Sequence, residues 1–351
     1  QQLSLSCRVI SFVAATMASK KKKSSKQNKS NTSSSPAFWF YFLAILPVPL
    51  LFIASQFLRT TISSPPSDYG SGSMFDLIAT RYDFINRVLA LNLDMSWRHR
   101  LVKEVVGAEG EIFTNNNSGE SIKFLDLATG TADVAILLGK AAAQYTPSST
   151  ANSPTVLGLD PSQNMLNIAE TKIKHAALSN IVSLQLGDSR RLDSIEDNTF
   201  NAATMSFGIR NVPEKEMALC EIHRVLKKGS KSASIESKLA IMEFSEPGPD
   251  TGIMGAIARQ FIRHLVPAMG AVLSGYPREY MHLQKSIKDF PSPTEFVALM
   301  EGLKCPIKGG DGEELEIDTF GSFRVKEMIN LMFGSVQIYV ANPILKQYVT
   351  E

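Results

Sequence analysis

The stretch Ala203–Val212 reads ATMSFGIRNV, and it indicates both a type of fold and a type of site. Its apolar half is typical of a buried strand that ends in Phe207-Gly208, and the polar pair Arg210 and Asn211 follows after Ile209. In an open α/β sheet, ligands bind at the carboxyl ends of the strands. A guanidinium and an amide there offer a fixed cation and a polar group to a substrate oxygen. A solvated loop after a buried strand is the alternative, so the flanking sequence decides.

Strand-like and helix-like segments alternate on both sides of this stretch, which predicts an α/β fold with a parallel sheet and helices on both faces. Strands are predicted at Ile122–Leu127, Thr155–Leu159, Val182–Leu186, Ala202–Phe207 and Leu239–Phe244. Helical periodicity predicts helices at Phe75–Val106, Asp133–Ala143, Gln163–Leu178, Glu214–Leu226 and Ile253–Leu273. Near the C-terminus we predict a capping-box helix from Ser292 to about Gly302, a loop over 305–320 and a last strand at Val336–Val340.

The N-terminal part differs in composition from the rest of the chain. Residues 1–36 are rich in Ser and Lys and are predicted to be a disordered targeting region. Residues 37–58 carry no charge over 22 positions, long enough to span a bilayer, so we predict a membrane anchor there. A cleaved signal or the apolar part of a bipartite targeting sequence is the alternative. Residues 59–73 read as a linker, and 74–351 as the globular domain.

Charge and cysteine usage exclude some classes of function. Residues 1–67 hold eight basic and no acidic side chains, so the rest of the chain has a net charge of −6 although the whole chain is +2. An acidic body argues against nucleic acid as a partner. The cysteines Cys7, Cys220 and Cys305 have no zinc-site spacing, and we expect neither a metal site nor a disulfide framework. Cys220 is expected to pack as a small apolar side chain.

Acidic or small residues follow three of the predicted strands at their carboxyl ends. The first strand runs into Asp126-Leu127-Ala128-Thr129-Gly130, a sharp turn that leads into a helix. Asp160 ends the second strand and is placed to accept the hydroxyls of a ribose. Asp188 and Ser189 follow the third strand, where a carboxylate can accept a hydrogen bond from an exocyclic amine. Because a Walker A sequence is absent and the first turn carries no cation, S-adenosylmethionine is favoured over NAD or ATP.

Three local motifs resemble the ubiquinone/menaquinone biosynthesis C-methyltransferase family. Tyr82-Asp83-Phe84-Ile85-Asn86, with Trp97 downstream, resembles the family's opening YDxMN…HxxW signature. Leu125–Asp133, LDLATGTAD, is close to the family's LDLAGGTGD. Phe207–Val212, followed by HRVLKKG at 223–229 and Glu243-Phe244-Ser245, resembles the FGxRN and RVLKPGG…ExS elements. One departure is Asp94, which stands where the family usually has His and puts a proton-transfer role for that position in doubt.

The resemblance implies a class I S-adenosylmethionine-dependent methyltransferase with a Rossmann-like, mostly parallel sheet. The implied reaction is C-methylation of a polyprenyl benzoquinol ring in ubiquinone biosynthesis. Catalytic roles are then expected for Arg210 and Asn211 at the quinol oxygen and for Tyr82 and Asp83, with Asp83 or a water near Arg210 as the base. The implied cofactor-binding residues are Asp126, Thr129, Gly130, Asp160, Asp188, Ser189 and Ser206.

Several alternatives stay open at this stage. The substrate is either a benzoquinol or a demethylmenaquinol or demethylphylloquinol, and a non-catalytic cofactor-binding subunit of a quinone biosynthetic complex is a further alternative. The expected partners are the prenylated quinol and a membrane, with a homodimer or a biosynthetic complex left open. The basic segment before the apolar one favours the mitochondrial inner membrane over a plastid membrane as the location.

Overall fold

The computed structural model describes residues 72–115, 121–145, 155–228, 236–248, 251–275, 277–307 and 319–347. The predicted disordered region 1–36 and the predicted anchor 37–58 lie outside the described residues, as does nearly all of the linker. Among the helices in these ranges, none is both long enough and apolar enough to cross a membrane.

Seven strands form one sheet, which confirms the predicted α/β class and the mostly parallel sheet. The strands are β1 (Lys123–Leu127), β2 (Thr155–Asp160), β3 (Val182–Leu186), β4 (Ala202–Ser206), β5 (Lys238–Phe244), β6 (Thr319–Leu331) and β7 (Val336–Gln347). Their order is β3-β2-β1-β4-β5-β7-β6. Strands β1 to β5 are parallel, whereas β7 runs antiparallel to β5 and to β6. The order reverses between β1 and β4, and this switch point is where a ligand crevice is expected.

The helices cover both faces of the sheet. They are α1 (Ser73–Leu89), α2 (Asp94–Val106), α3 (Glu111–Thr114), α4 (Asp133–Tyr145), α5 (Gln163–His175), α6 (Lys215–Val225), α7 (Gly252–Gln260), α8 (Val266–Ser274), α9 (Pro277–Asp289) and α10 (Pro293–Gly302). A 3-10 turn at Ile209–Asn211 follows β4, and a π-helical turn at Phe261–Leu265 joins α7 to α8. The predicted capping box of α10 is present, since Ser292 and Glu295 cap each other's backbone.

Alternate residues of the strands divide the core into two apolar clusters, one on each face. Phe124 and Met242 belong to one cluster, which packs under α2 and α4. Leu125 and Ile241, their chain neighbours, belong to the other, which packs under α6 and α10. Because both faces are covered by helices, the central strands are apolar throughout and read as continuous apolar runs.

The structure differs from the sequence prediction in several elements, and helices α3 and α9 were not predicted. The predicted helix Phe75–Val106 is two helices, because Leu91 and Asn92 adopt left-handed φ values of 52° and 61° between α1 and α2. The predicted helix Ile253–Leu273 is broken by the π-helical turn. Strand β6 was not predicted, because its long hairpin pairing with β7 leaves only one face buried and gives a weak apolar pattern.

The expectation of no disulfide framework was wrong, since one disulfide is present among the described residues. Cys220 on α6 and Cys305, just after α10, form a disulfide across 85 residues of sequence. Cys305 is buried, and both residues pack into the apolar cluster under α6 and α10. Their separation in sequence gave no hint of this contact, because α6 and α10 meet only through tertiary packing.

Candidate active site

Two cavities meet at the carboxyl end of the parallel strands. A small cavity of about 80 Å³ lies over the ends of β1, β2 and β4, and a large cavity of about 270 Å³ lies beside it under α1, α7 and α9. Phe75, Tyr82, Phe207 and Asn211 line both cavities and so form a shared wall. Ligands in the two cavities can therefore both contact the side chains of this shared wall.

The turn after β1 builds one side of the small cavity. Ala128 and Gly130 have left-handed φ values of 49° and 55°, which exposes the backbone of the turn to the cavity. Asp126 lies beneath, where it accepts hydrogen bonds from Thr129 Oγ1 at 2.6 Å and Thr204 Oγ1 at 2.7 Å. Burial raises the pKa of the Asp126 carboxyl to about 6. Asp126 and Thr129 hold the turn in shape, and neither lines the small cavity, unlike Gly130.

Asp160 lines the small cavity at the end of β2. Its carboxylate accepts hydrogen bonds from the backbone N–H of Gly130 at 2.8 Å and of Ser162 at 2.9 Å. These two bonds fix the carboxylate at the edge of the β1 turn. Burial raises the pKa of Asp160 to about 6, so the carboxylate is ionised only above that pH.

Asp188 and Ser189 line the small cavity beyond β3, together with Arg190, which was not predicted. The guanidinium of Arg190 donates to both carboxylate oxygens of Asp188, at 2.6 Å from Nη2 to Oδ2 and at 3.1 Å from Nε to Oδ1. Burial acts in the opposite direction, but these bonds hold the pKa of Asp188 below its usual range. Arg190 stands only two residues after Asp188, but its sequence context did not single it out as a cavity residue.

The start of the turn after β4 closes the small cavity. Ser206 lines it, and the Ser206 hydroxyl is buried with no hydrogen-bond partner among the described residues. Gly208 lies against the β1 turn, since a Cβ added to it would come within 2.5 Å of the Cβ of Ala128. The small cavity thus offers the Ser206 hydroxyl and the fixed Asp160 carboxylate to a ligand, and Gly208 packs closely against Ala128 at its wall.

The large cavity is lined mainly by apolar and aromatic side chains. They come from α1, α2, α7, the π-helical turn, α9 and the β6–β7 turn, and include Ile78, Trp97, Phe244, Ile257, Phe261 and Phe333. Its polar side chains include Tyr82, Asn86, Arg98, Arg210, Asn211 and His282. An apolar cavity with a few polar groups suits a ligand with a polar ring and a long hydrocarbon part.

Arg210 lines the large cavity and is 5% exposed. Its Nη1 donates to Glu243 Oε1 at 2.5 Å and to the carbonyl oxygen of Phe207 at 2.6 Å. Its Cζ also lies 5.6 Å from the centre of the Phe244 ring. Glu243, at the end of β5, is fully buried, so the pair fixes the guanidinium between the strand ends and the cavity.

Tyr82 lies on the shared wall, and burial raises the pKa of its phenol, although the charges of Arg210 and Arg98 act in the opposite direction. Tyr82 therefore stays protonated and can donate a hydrogen bond to a ligand. Asp83, the neighbouring residue, faces elsewhere. It accepts hydrogen bonds from Lys172 at 2.8 Å and Thr131 at 2.7 Å, and it lines neither of the two cavities.

An ion-pair network supports the wall of the large cavity, and the sequence did not predict it. Asp94 Oδ2 pairs with Arg98 at 2.5 Å and with Arg87. Asp133 pairs with Arg87 at 2.6 Å and with Lys172, also at 2.6 Å. Asp94, which departs from the family motif, therefore joins the ends of α1 and α2 through two arginines.

Burial lowers the pKa of two histidines, His282 and His223, to about 4. His282 on α9 lines the large cavity, and burial, then the charge of Arg210, lower its pKa to about 4. His223 on α6 lies on the other face of the sheet, where its Nε2 is 3.0 Å from the carbonyl oxygen of Ile344. Within the described ranges, no group of three or more His, Cys, Asp or Glu side chains is placed to hold a metal ion.

Comparison with known families gives a match over most of the chain. The model of the ubiE/COQ5 methyltransferase family matches residues 67–305. Ubiquinone/menaquinone biosynthesis C-methyltransferase UbiE of Geotalea uraniireducens is 34% identical over 230 residues, which cover 66% of this chain and 85% of that protein. Demethylmenaquinone methyltransferase of Deinococcus radiodurans is 34% identical over 227 residues, covering 65% and 81%.

Solved structures similar to this chain include a SAM-dependent methyltransferase from Aquifex aeolicus. Its sequence identity is 18% and its TM-score is 0.39, with 68% of this chain and 91% of that chain covered.

Proposed function

The chain belongs to the ubiE/COQ5 methyltransferase family, and from this premise we propose that it methylates a ring carbon of a polyprenyl benzoquinol in ubiquinone biosynthesis. It is an S-adenosylmethionine-dependent methyltransferase with the class I, Rossmann-like fold. The observation that carries the proposal is the shared wall, where a polar cavity for a nucleoside meets an apolar cavity for a lipid-like ring and tail.

The small cavity fits S-adenosylmethionine. Asp160 is fixed by two backbone N–H groups and faces the ribose position, and Asp188 with Ser189 lies farther along the same edge. The Ser206 hydroxyl, which is buried and unused, is available to a polar group of the cofactor. When bound there, the cofactor supplies an electrophilic methyl group on a sulfonium.

Arg210 is proposed to hold the quinol oxygen next to the ring carbon that is methylated. That carbon becomes a good nucleophile when the neighbouring phenol ionises, and a free phenol has a pKa of about 10. A fixed guanidinium stabilises the negative charge that develops on the oxygen. Glu243 holds the Arg210 side chain in place before substrate binds, so little reorganisation is required. Asn211 and Tyr82, on the shared wall, orient the ring.

The proposed proton acceptor is a water held near Arg210. Asp83 was the other candidate, but its carboxylate is bonded to Lys172 and Thr131 outside both cavities. Arg210 itself stays protonated and cannot accept a proton. The apolar side chains of α7 and the π-helical turn, such as Ile257 and Phe261, are proposed to cover the prenyl tail.

We further propose that residues 37–58 tether the enzyme to an organelle membrane, with the mitochondrial inner membrane favoured over a plastid membrane. The charge-free length of that segment and the basic residues before it support this proposal. Carbonate extraction of the full-length protein tests it, and release with an intact N-terminus contradicts it. A homodimer or a quinone biosynthetic complex stays open as a partner.

Methylation of demethylmenaquinol is the second candidate, because the relative from Deinococcus radiodurans is named for that reaction. The deciding experiment supplies the purified full chain with labelled S-adenosylmethionine and either a demethyl-benzoquinol or a demethyl-naphthoquinol of equal tail length. A higher kcat/KM for the benzoquinol is expected. A higher value for the naphthoquinol transfers the assignment to the second candidate, and no turnover of either contradicts both.

A further inference from the structure

We propose that the mouth of the large cavity is a lipid-docking surface, formed by a rim of Leu91, Ile253, Met254, Ile257 and Phe333. These large apolar side chains are 64%, 81%, 47%, 57% and 52% exposed. All but Ile253 also line the large cavity. A cluster of exposed apolar side chains of this kind marks an interaction site, since soluble surfaces rarely gather them without a partner.

Backbone geometry at two of the rim positions holds apolar side chains outward. Leu91 has a φ of 52° in the turn between α1 and α2, and Phe333 has a φ of 56° in the turn between β6 and β7. Non-glycine residues adopt this conformation at a cost, and such costs are concentrated at functional sites. Two turns from distant parts of the chain thus each place a large apolar residue at the same cavity mouth.

The helix on the other side of the mouth presents an uncharged face. Residues 252–258 read GIMGAIA and carry no charge. The arginines that follow point to other partners, since Arg259 donates to the carbonyl oxygens of Pro247 and Gly248, and Arg263 pairs with Glu246. The β6–β7 turn contacts the start of this helix, so Phe333 and Ile253 belong to one surface.

The occupant is a lipid surface rather than a second copy of the chain, for two reasons. The rim is continuous with the large cavity. This step rests on the proposed function, under which the large cavity receives a substrate that is dissolved in the bilayer. The predicted anchor 37–58 ends 14 residues before Gly72, so an extended chain places it at most about 50 Å from α1. Met74 and Phe75, in the first turn of α1, line the same cavity. A tether of that length allows the rim to reach the membrane surface.

A fluorescence experiment on the full chain tests the docking surface. Cys7→Ser leaves only the disulfide cysteines, and Ile253→Cys then carries a nitrobenzoxadiazole label at the rim. Leu186→Cys is the matched control, because Leu186 is 54% exposed on β3, the edge strand at the opposite side of the sheet from β6, and lies outside both cavities. Each protein is reconstituted into phosphatidylcholine vesicles with plain or dibrominated acyl chains. Brominated chains are expected to quench the rim label about twofold, as for a side chain in the interface, and to leave the control label unchanged.

Three results would overturn the proposal. The first is equal quenching of the rim and control labels by brominated lipid, and the second is no quenching of the rim label. The third is a rim fluorescence that changes with protein concentration in the absence of vesicles, which would identify a second copy of the chain as the occupant. The quenching does not depend on methylation, so its failure and the failure of the proposed function are distinguished.

A kinetic measurement provides an independent test. Ile253→Glu is expected to raise KM about tenfold for a long-tailed quinol in vesicles, because the isoleucine side chain is no longer buried in the lipid when the protein docks. For a short-tailed, water-soluble quinol, kcat/KM is expected to stay unchanged, since Ile253 does not line the cavity. Leu186→Glu is the control for both substrates. An equal effect of Ile253→Glu on the two quinols contradicts docking.

Discussion

The small and large cavities share a wall, yet they are built in different ways. Most residues of the small cavity end or directly follow β1, β2, β3 and β4, whereas Phe75 and Tyr82 come from α1 and Met165 comes from α5. The large cavity combines side chains from α1, α2, α7, α9 and the β6–β7 turn, which are separated by more than 200 residues. The small cavity is thus fixed largely by the sheet, whereas the large cavity depends on how the helices pack over it.

The polar groups of the two cavities are also held differently. Asp160 in the small cavity is held by backbone N–H groups of neighbouring turns. Arg210 in the large cavity is held by the buried carboxylate of Glu243 and by a carbonyl oxygen. A charge held by a second buried charge is sensitive to loss of its partner, since an unpaired buried charge is strongly destabilising. We therefore expect substitutions in the large cavity to affect stability as well as activity.

The largest effect is expected for Arg210→Ala. It leaves the Glu243 carboxylate buried without its cation, which costs about 3–5 kcal/mol of unfolding free energy. Loss of the fixed charge at the quinol oxygen is expected to reduce turnover about 10²- to 10³-fold, with unchanged affinity for S-adenosylmethionine. Thermal unfolding and single-turnover methylation on the same preparation measure the two effects.

A double variant separates the two roles of this arginine. Arg210→Met with Glu243→Gln removes both buried charges, and we expect most of the stability to return while turnover stays low. Near-normal turnover in a folded double variant would show that Arg210 serves only the ion pair and that the catalytic assignment is misplaced.

A smaller effect, confined to stability, is expected for the disulfide. Cys220 and Cys305 lie under α6 and α10, on the face of the sheet away from the large cavity. Cys305→Ser is expected to lower the unfolding free energy by about 2–4 kcal/mol, because the unfolded chain loses a constraint across 85 residues. Cofactor affinity and turnover at 25 °C are expected to stay as in the parent protein. Urea unfolding and calorimetry check both, and a parallel loss of affinity contradicts the separation of this region from the cavities.

Asp160→Asn tests the small cavity alone. Asparagine keeps an acceptor oxygen but loses the charge that strengthens hydrogen bonds from the ribose, so the Kd for S-adenosylhomocysteine is expected to rise about ten- to a hundredfold. The control is Asp193→Asn, an exposed carboxylate outside the cavity. Affinity for a quinol is expected to change little. Unchanged cofactor affinity would remove Asp160 from the site.

The smallest effect is expected from pH. The pKa of Asp160 is raised to about 6, so the carboxylate gains a proton as the pH falls through 6 and ribose hydroxyls lose a charged acceptor. Cofactor affinity is therefore expected to be constant above pH 7 and to fall about tenfold by pH 5, with a weaker fall in Asp160→Asn. His282 in the large cavity has a pKa of about 4 and stays neutral over this range. Calorimetry at several pH values checks the difference, and a flat profile in the parent protein contradicts it.

Local sequence patterns were enough to predict the parallel strands and the residues at their carboxyl ends. Apolar runs bounded by turns predicted β1 to β5 within one residue at each end, and Gly130, Asp160, Asp188, Ser189 and Ser206 all line the small cavity. The prediction of these residues succeeds because a parallel sheet brings the carboxyl ends of its strands to one edge, independently of how the helices pack. The family resemblance, carried by 82–86, 125–133 and 207–212, added the expected chemistry, and the family match confirms the family itself.

Packing decided what the sequence left open. Packing joins residues far apart in sequence in three cases, which are Arg210 with Glu243, Asp83 with Lys172 and Cys220 with Cys305. The sequence by itself determined which residues lie at the strand ends, because strand period and turn chemistry are local. Only the tertiary structure decided which charges neutralise each other and which apolar side chains face solvent at the cavity mouth, because those contacts depend on how distant helices pack.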